Sequence, residues 1–306
     1  MVAHRPAVHS GRDGAYRHPV RTYPVILVAL AGVAVPAARA QCRPGANSNE
    51  AKLLAFYSAP ITFSALDAPK RPSPWHLELQ AEVSPVPTAD PAIEHASECY
   101  TASAKQHSRL TSVFARPRVL LTLPLGLALE ASYIPPIQVG DAHPHLGSAA
   151  ISETAPLAGF GPFGSSALMI RAHGTIGHVT GPITCAQSSL QQTDPEGACY
   201  GDRPSDDTFK PNMFGVEGVY GVTSRGGRFD FFAGSGVTWL RPRFEVGFTN
   251  LDGVVDNTQV EVNLQRWSLL GGATLHLPAS FAITTEVYSV PKDVTTWRLA
   301  ASYRLH

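Results

Sequence analysis

Beyond residue 40 the chain has no apolar run approaching the ~20 residues that a membrane helix needs. Charge is scarce too: charged residues make up 16% of the chain, against ~25% in soluble domains. Neither sign prevails. The 24 basic and 24 acidic residues exclude a nucleic-acid binder and an acidic disordered tail. There are only four cysteines, with no Cys-x-x-Cys pair or matching histidine spacing to mark a metal site. No Gly-x-Ser-x-Gly, phosphate loop or dinucleotide motif stands in the strand-to-helix context it requires. The expectation is a non-enzyme without cofactor or metal.

Glycine and proline, by contrast, are plentiful at 26 each and are spread along the chain, as many short strands with turns require. At the N-terminus, Arg17, His18 and Arg21 precede an apolar core at 24–35, followed by Ala38-Arg39-Ala40. These are the three regions of a signal peptide, with cleavage expected between Ala40 and Gln41. Residues 1–40 are therefore read as an export signal. An exported chain without membrane helices is periplasmic, secreted or a β-barrel.

Asn47-Ser48-Asn49-Glu50 reads as an N-cap with a capping-box glutamate, opening a short amphipathic helix through Tyr57 that Pro60 ends. Pro69, Pro72 and Pro74 make the following stretch an extended linker. Residues 41–70 thus form a helix and linker that can cap or enter a barrel, or lie against its periplasmic end.

From Trp75 the pattern changes to period two. Leu77, Leu79, Ala81 and Val83 alternate with Glu78, Gln80, Glu82 and Ser84. At the chain end Trp297, Leu299, Ala301, Tyr303 and Leu305 alternate with Thr296, Arg298, Ala300, Ser302 and Arg304. Such alternation puts the apolar residues on one sheet face and the polar ones on the other. Further strands are expected near 114–123, 125–133, 146–155, 166–178, 213–223 and 281–290. Two runs, 229–248 and 260–275, exceed the ~9–11 residues that a spanning strand needs, and both shift phase. The shifts are read as paired bends where a hairpin around Asp252–Asp256 leaves the membrane and projects outward. Short turns at 123–126, 224–227 and 277–279 alternate with longer connections at 84–112, 134–145, 179–211 and 250–258. That is the habit of barrels with short periplasmic turns and long outer loops.

Residues 71–306 thereby resemble small bacterial outer-membrane β-barrel proteins. The end strand, with Arg298, Ala300, Tyr303 and Leu305, is similar to their C-terminal signature, although Ala300 and Leu305 stand where glycine and an aromatic are usual. The resemblance implies an all-β, antiparallel, up-and-down transmembrane barrel of about ten strands in the outer membrane. It implies the lipid bilayer as a partner, and the barrel-assembly machinery acting through 294–305. The competing reading is an exported soluble sandwich or barrel. Against it stand the charges on nearly every polar face and the aromatics Trp75, Tyr133, Trp239, Trp267 and Tyr303, which suit interfacial girdles.

Cys185 and Cys199 lie in one loop and are read as a disulfide of an oxidising compartment. Cys42 and Cys99 can form a second pair only if the N-terminal segment reaches the outer end, which would thread the helix through the lumen as a plug. Glu78, Glu82, Arg171, Glu217, Asp230, Glu286, Arg298 and Arg304 are the expected lumen charges. They form either a ladder of ion pairs filling the bore or an ion-selective constriction. Asp141, His143 and His145 read as a polar exposed loop. His173 and His178 are expected on opposite strand faces. Two functions stay open: a mostly closed barrel of structural or surface-binding type with an unidentified outer ligand, and a narrow porin-like channel. A rim protease or lipid-modifying enzyme ranks below both.

Overall fold

The computed structural model describes residues 41–69, 74–94, 98–99, 110–159 and 163–305. The export signal and the cleavage at Ala40 lie outside the described residues, as do Pro72 and His306. Ten strands make the wall: β1 (Leu77–Pro85), β2 (Val113–Thr122), β3 (Leu127–Ile134), β4 (His143–Leu157), β5 (Phe163–Gly181), β6 (Met213–Ser224), β7 (Phe229–Leu240), β8 (Leu264–His276), β9 (Phe281–Val290) and β10 (Val294–Leu305). Each pairs antiparallel with its neighbours in sequence. β10 returns to β1, from Leu299 opposite Val83 to Leu305 opposite Leu77, and closes the sheet.

The polarity is that of a membrane barrel. Outward positions carry exposed Leu79, Val119, Leu129, Ile151, Ile170, Val216, Phe231, Leu269, Ile283 and Leu299, whereas inward positions bury Glu82, Arg118, Arg171, Glu217, Glu286 and Arg298. A soluble barrel buries the opposite set, so the chain is a transmembrane β-barrel of the outer-membrane type. Tyr133, Phe214, Trp239, Trp267 and Trp297 ring one end, and Trp75, Phe229, Phe281 and Tyr303 the other. The first end carries the long connections and is the outer one.

The structure redraws several local expectations. Trp75 precedes β1, in a turn with φ 66°. The outer connection at 291–293 is tight, closed by Asp293 N–H donating to the Val290 carbonyl at 2.8 Å. The long runs are broken strands: β7 stops at Leu240 and β8 starts at Leu264, with Arg243–Glu245 and Gln259–Glu261 paired beyond the bend. That outer hairpin does not project freely. Arg243–Glu245 also pairs with Asp207–Lys210, which pairs with the end of β5, so a second wall rises over the mouth. His143 and His145 stand on the outer end of β4 rather than in a loop, where His145 meets the Tyr133 hydroxyl at 3.1 Å and the His178 ring at 5.2 Å.

One helix, α1 (Asn49–Ile61), precedes the wall. Its N-cap is Ser48, whose hydroxyl accepts the Ala51 N–H at 3.1 Å. Glu50 consequently falls too early for a capping box. Its carboxylate instead accepts the N–H groups of Glu98 and Cys99 at 2.7 and 2.8 Å. Pro60 sits inside the last turn, and Thr62 closes the helix by donating to the Ala59 carbonyl at 3.2 Å.

Candidate functional site

The chain enters at the outer end. Gln41–Cys42 runs parallel to Gln259–Val260 of the outer wall, and Cys42 is bonded to Cys99. From there α1 descends through the mouth, and residues 62–68 continue through the bore, with Thr62, Phe63, Ser64 and Ala65 almost wholly buried. The second disulfide joins Cys185 to Cys199 in the outer connection between β5 and β6.

Two environments surround this segment. In the bore, four wall arginines reach its backbone. Arg298 donates to the Ala59 carbonyl at 3.0 Å, and Arg116 to those of Ile61 and Thr62 at 2.9 and 2.8 Å. Arg171 donates to the Phe63 carbonyl and Arg118 to that of Ser64, at 2.5 and 2.7 Å. The last turn of a helix leaves carbonyls unpaired and carries partial negative charge. α1 has no basic residue in its own last turn, so the wall supplies the cations. The Phe63 ring lies 4.9, 4.3 and 5.0 Å from the guanidinium carbons of Arg116, Arg118 and Arg171, within cation–π range.

The same arginines are neutralised by wall glutamates. Glu82 pairs with Arg116 and Arg118 at 2.6 and 2.9 Å, Glu130 with Arg118 and Arg171, and Glu217 with Arg171 at 2.7 Å. Arg298 pairs with Glu286 at 3.4 Å and also bonds the Ser64 hydroxyl. Four arginines and four glutamates thus form one connected, formally neutral lattice. The segment is held on the acceptor side as well, since Ala65 N–H donates to Glu217 and the Ser64 hydroxyl to Glu286, at 2.7 and 2.9 Å. The remaining side of the bore is apolar: Val219, Phe232, Leu270 and Tyr288 pack on Ala59 and Ala65.

All eight expected lumen charges lie on the inner face. Glu82, Arg171, Glu217, Glu286 and Arg298 meet in the lattice. Asp230 instead pairs with His276 at 2.6 Å, and Glu78 with Arg304 at 3.5 Å, both nearer the periplasmic end. Arg116, Arg118 and Glu130 were not counted among the lumen charges, although Glu130 reads on the polar face of its strand, and Phe63 was missed. The first three sit at alternate positions against Pro117, Val119 and Ala131, so the period-two rule was enough to find them. His173 is inward and buried, 4.0 Å from Glu217.

At the mouth the chemistry reverses. Leu53, Leu54, Tyr57 and Ile61 of α1 face Phe114, Ile134, Val179, Phe209, Phe244 and Val260 across a cavity of about 190 Å³. Above it the outer connections are knotted at buried Asp207. Its carboxylate accepts from the Thr184 N–H at 2.6 Å, the Ser205 hydroxyl at 2.7 Å and the Gly247 N–H at 3.0 Å. Burial pushes this carboxyl above the usual aspartate range, and those donors partly offset the rise.

No protein-family model matches the chain, and no curated protein does. Among solved structures it is similar to the attachment invasion locus protein Ail of Yersinia pestis in complex with the heparin analogue sucrose octasulfate. That likeness has 10% identity and a TM-score of 0.29, over 75% of this chain and 97% of that one. It is also similar to the KdgM porin, at 10% identity and TM-score 0.29, covering 76% and 99%. A deletion mutant of the monoaromatic hydrocarbon channel TodX aligns at 11% identity and TM-score 0.30, covering 81% and 70%. The fold itself is established by the closed ladder and inverted polarity of this chain.

Proposed function

We propose that this protein is a non-catalytic outer-membrane barrel whose lumen is sealed by its own N-terminal segment and whose outer end is the working face. The observation that carries this reading is the clamp: wall arginines hold the backbone from Ala59 to Ser64 across the bore, each also paired with a wall glutamate. Buried charges are tolerated only when paired, and breaking such a pair costs about 3–5 kcal/mol. Withdrawing the segment would strand five arginine–carbonyl contacts in the bore, so an open state is disfavoured. The charges serve as glue, which argues against an ion-selective constriction. The C-terminal strand at 294–305 is the segment offered to the assembly machinery, and the disulfide-pinned outer connections are the surface offered to a ligand or partner.

Single-channel recording on the full barrel in a planar bilayer tests the reading. Little or no steady conductance is expected, with no large change on Arg298→Gln or Glu286→Gln. A stable open conductance whose ion preference changes with those substitutions would favour the narrow channel instead.

A further inference from the structure

The wall has a window beside the apolar chamber. β2 pairs with β1 along its whole length, from Val113 opposite Pro85 to Leu121 opposite Leu77. Its pairing with β3 covers only Val119 to Thr122, opposite Ala131 to Ala128. Among the described residues, 113–118 of β2 therefore have no ladder partner on the β3 side, while β3 keeps its pairing with β4 up to Ile134 opposite Leu146. Pro117 brings no amide donor to this stretch, as suits a strand position with one neighbour. The Thr111 hydroxyl engages both the C=O and the N–H of Val113, at 2.9 and 3.3 Å, in place of a neighbouring strand. Overhead the gap is bridged by the Asp141 N–H donating to the Leu110 carbonyl at 3.1 Å. The opening is thus framed on all four sides.

Its depth follows from the register. Ser84 bonds the Trp297 carbonyl at 3.0 Å and lies opposite Phe114, so the top of the window is level with the outer aromatic girdle. Ala115 and Pro117 lie opposite Val83 and Ala81, below the girdle and at the depth of the outer-leaflet hydrocarbon. The cavity lining includes both edges of the gap, Val113, Phe114 and Ala115 on one and Ile134 on the other, with Leu54 of α1 at the back. At the rim, Tyr133 and Ile137 are more than half exposed. An apolar cavity of ~150 Å³ in another protein stays dry and binds benzene, so about 190 Å³ is ample for a small hydrocarbon segment.

We propose that this chamber binds an unbranched aliphatic chain that enters sideways from the membrane through the β2–β3 window. The chain belongs either to a bilayer lipid or to a free amphiphile dissolved in the leaflet. The site needs the barrel in a membrane but not a sealed lumen, so its failure and a conducting lumen are separate results.

The test uses the full barrel in phosphatidylcholine nanodiscs with two photoreactive probes. One is a dodecanoic acid carrying a diazirine near its methyl end, and the other a phosphatidylcholine with the same group on one acyl chain. Labelled peptides are mapped by mass spectrometry. Saturable labelling of 53–61 and 113–115 is expected, competed by unlabelled dodecane and reduced at least tenfold by either Leu54→Trp or Ala115→Trp. Labelling by the lipid probe identifies a bilayer acyl chain as the source, whereas labelling by the acid alone, still sensitive to Ala115→Trp, identifies a free amphiphile. Both variants must migrate on an unheated gel as the unmodified barrel does. Should either misfold, dodecane competition on the unmodified barrel still decides. Labelling confined to the outward belt, insensitivity to dodecane, or chamber labelling unchanged by Ala115→Trp would overturn the proposal.

Discussion

The bore and the mouth of this barrel hold the same short segment by opposite means. In the bore each of the four clamp arginines has a carboxylate and a carbonyl, and little space is left around Phe63. At the mouth, a few residues earlier in the chain, Leu53, Leu54 and Tyr57 border an apolar space beside a strand edge that has no ladder partner among the described residues. The comparison separates two jobs. Directional, charge-assisted bonds fix the segment and seal the lumen, whereas non-directional apolar contact leaves a space that can exchange its contents. A barrel built only on the first principle would be inert, and one built only on the second would leak.

That contrast breaks most severely at Arg171, which joins Glu130, Glu217 and the Phe63 carbonyl. Arg171→Ala leaves Glu217 and Glu130 short of a partner and should cost ~3–5 kcal/mol. Urea unfolding of the liposome-refolded barrel checks this, and a loss below ~1 kcal/mol would mean that the lattice contributes little. Next comes the Cys42–Cys99 bridge, which spans 57 residues and ties the start of the segment to the outer connection. Cys42→Ser should cost ~2–4 kcal/mol. It should also expose the α1 end of the segment to added protease while the part beyond Phe63 stays protected. Equal exposure of both ends would show that the clamp depends on the bridge.

The smallest effect is expected at Asp207. Asp207→Asn turns an amide N–H₂ toward groups that donate to the carboxylate and should cost ~1–3 kcal/mol, confined to outer-loop protease resistance. The fold raises this carboxyl's pKa, so the folded knot binds the proton more tightly than the unfolded chain does. The proton's contribution to the knot's stability should therefore be fully present below the ordinary aspartate value of ~4 and be lost as pH rises through the raised one. The opposite slope would place the stabilising role on the charged form.

The wall was legible because alternation is written into each strand: the pattern of Leu79, Ala81 and Val83 against Gln80, Glu82 and Ser84 needs no partner to be seen. Strand ends were less so. The phase shift within 229–248 reads as a bend in one strand, because only the tertiary pairing of 243–245 with 207–210 shows a new element starting there. The clamp was half legible. Arg171, Glu217, Glu286 and Arg298 follow from the inward parity of their strands. That they close on Ala59 to Ser64 does not, because the path of a plug depends on contacts between residues over a hundred positions apart. Phe63 stands in a stretch that reads only as a linker, with no periodic pattern around it to mark it. The window was invisible, since β2 and β3 each alternate normally and only their register shows that they part.

Burial of the segment in the bore is the central claim, and a single thiol reads it directly. The four native cysteines are in disulfides, so Ser64→Cys introduces one free thiol at a position with 0% exposure. With a membrane-impermeant maleimide, the folded barrel should stay unlabelled from either side and react fully once boiled. Rapid labelling of the folded barrel would contradict a sealed lumen.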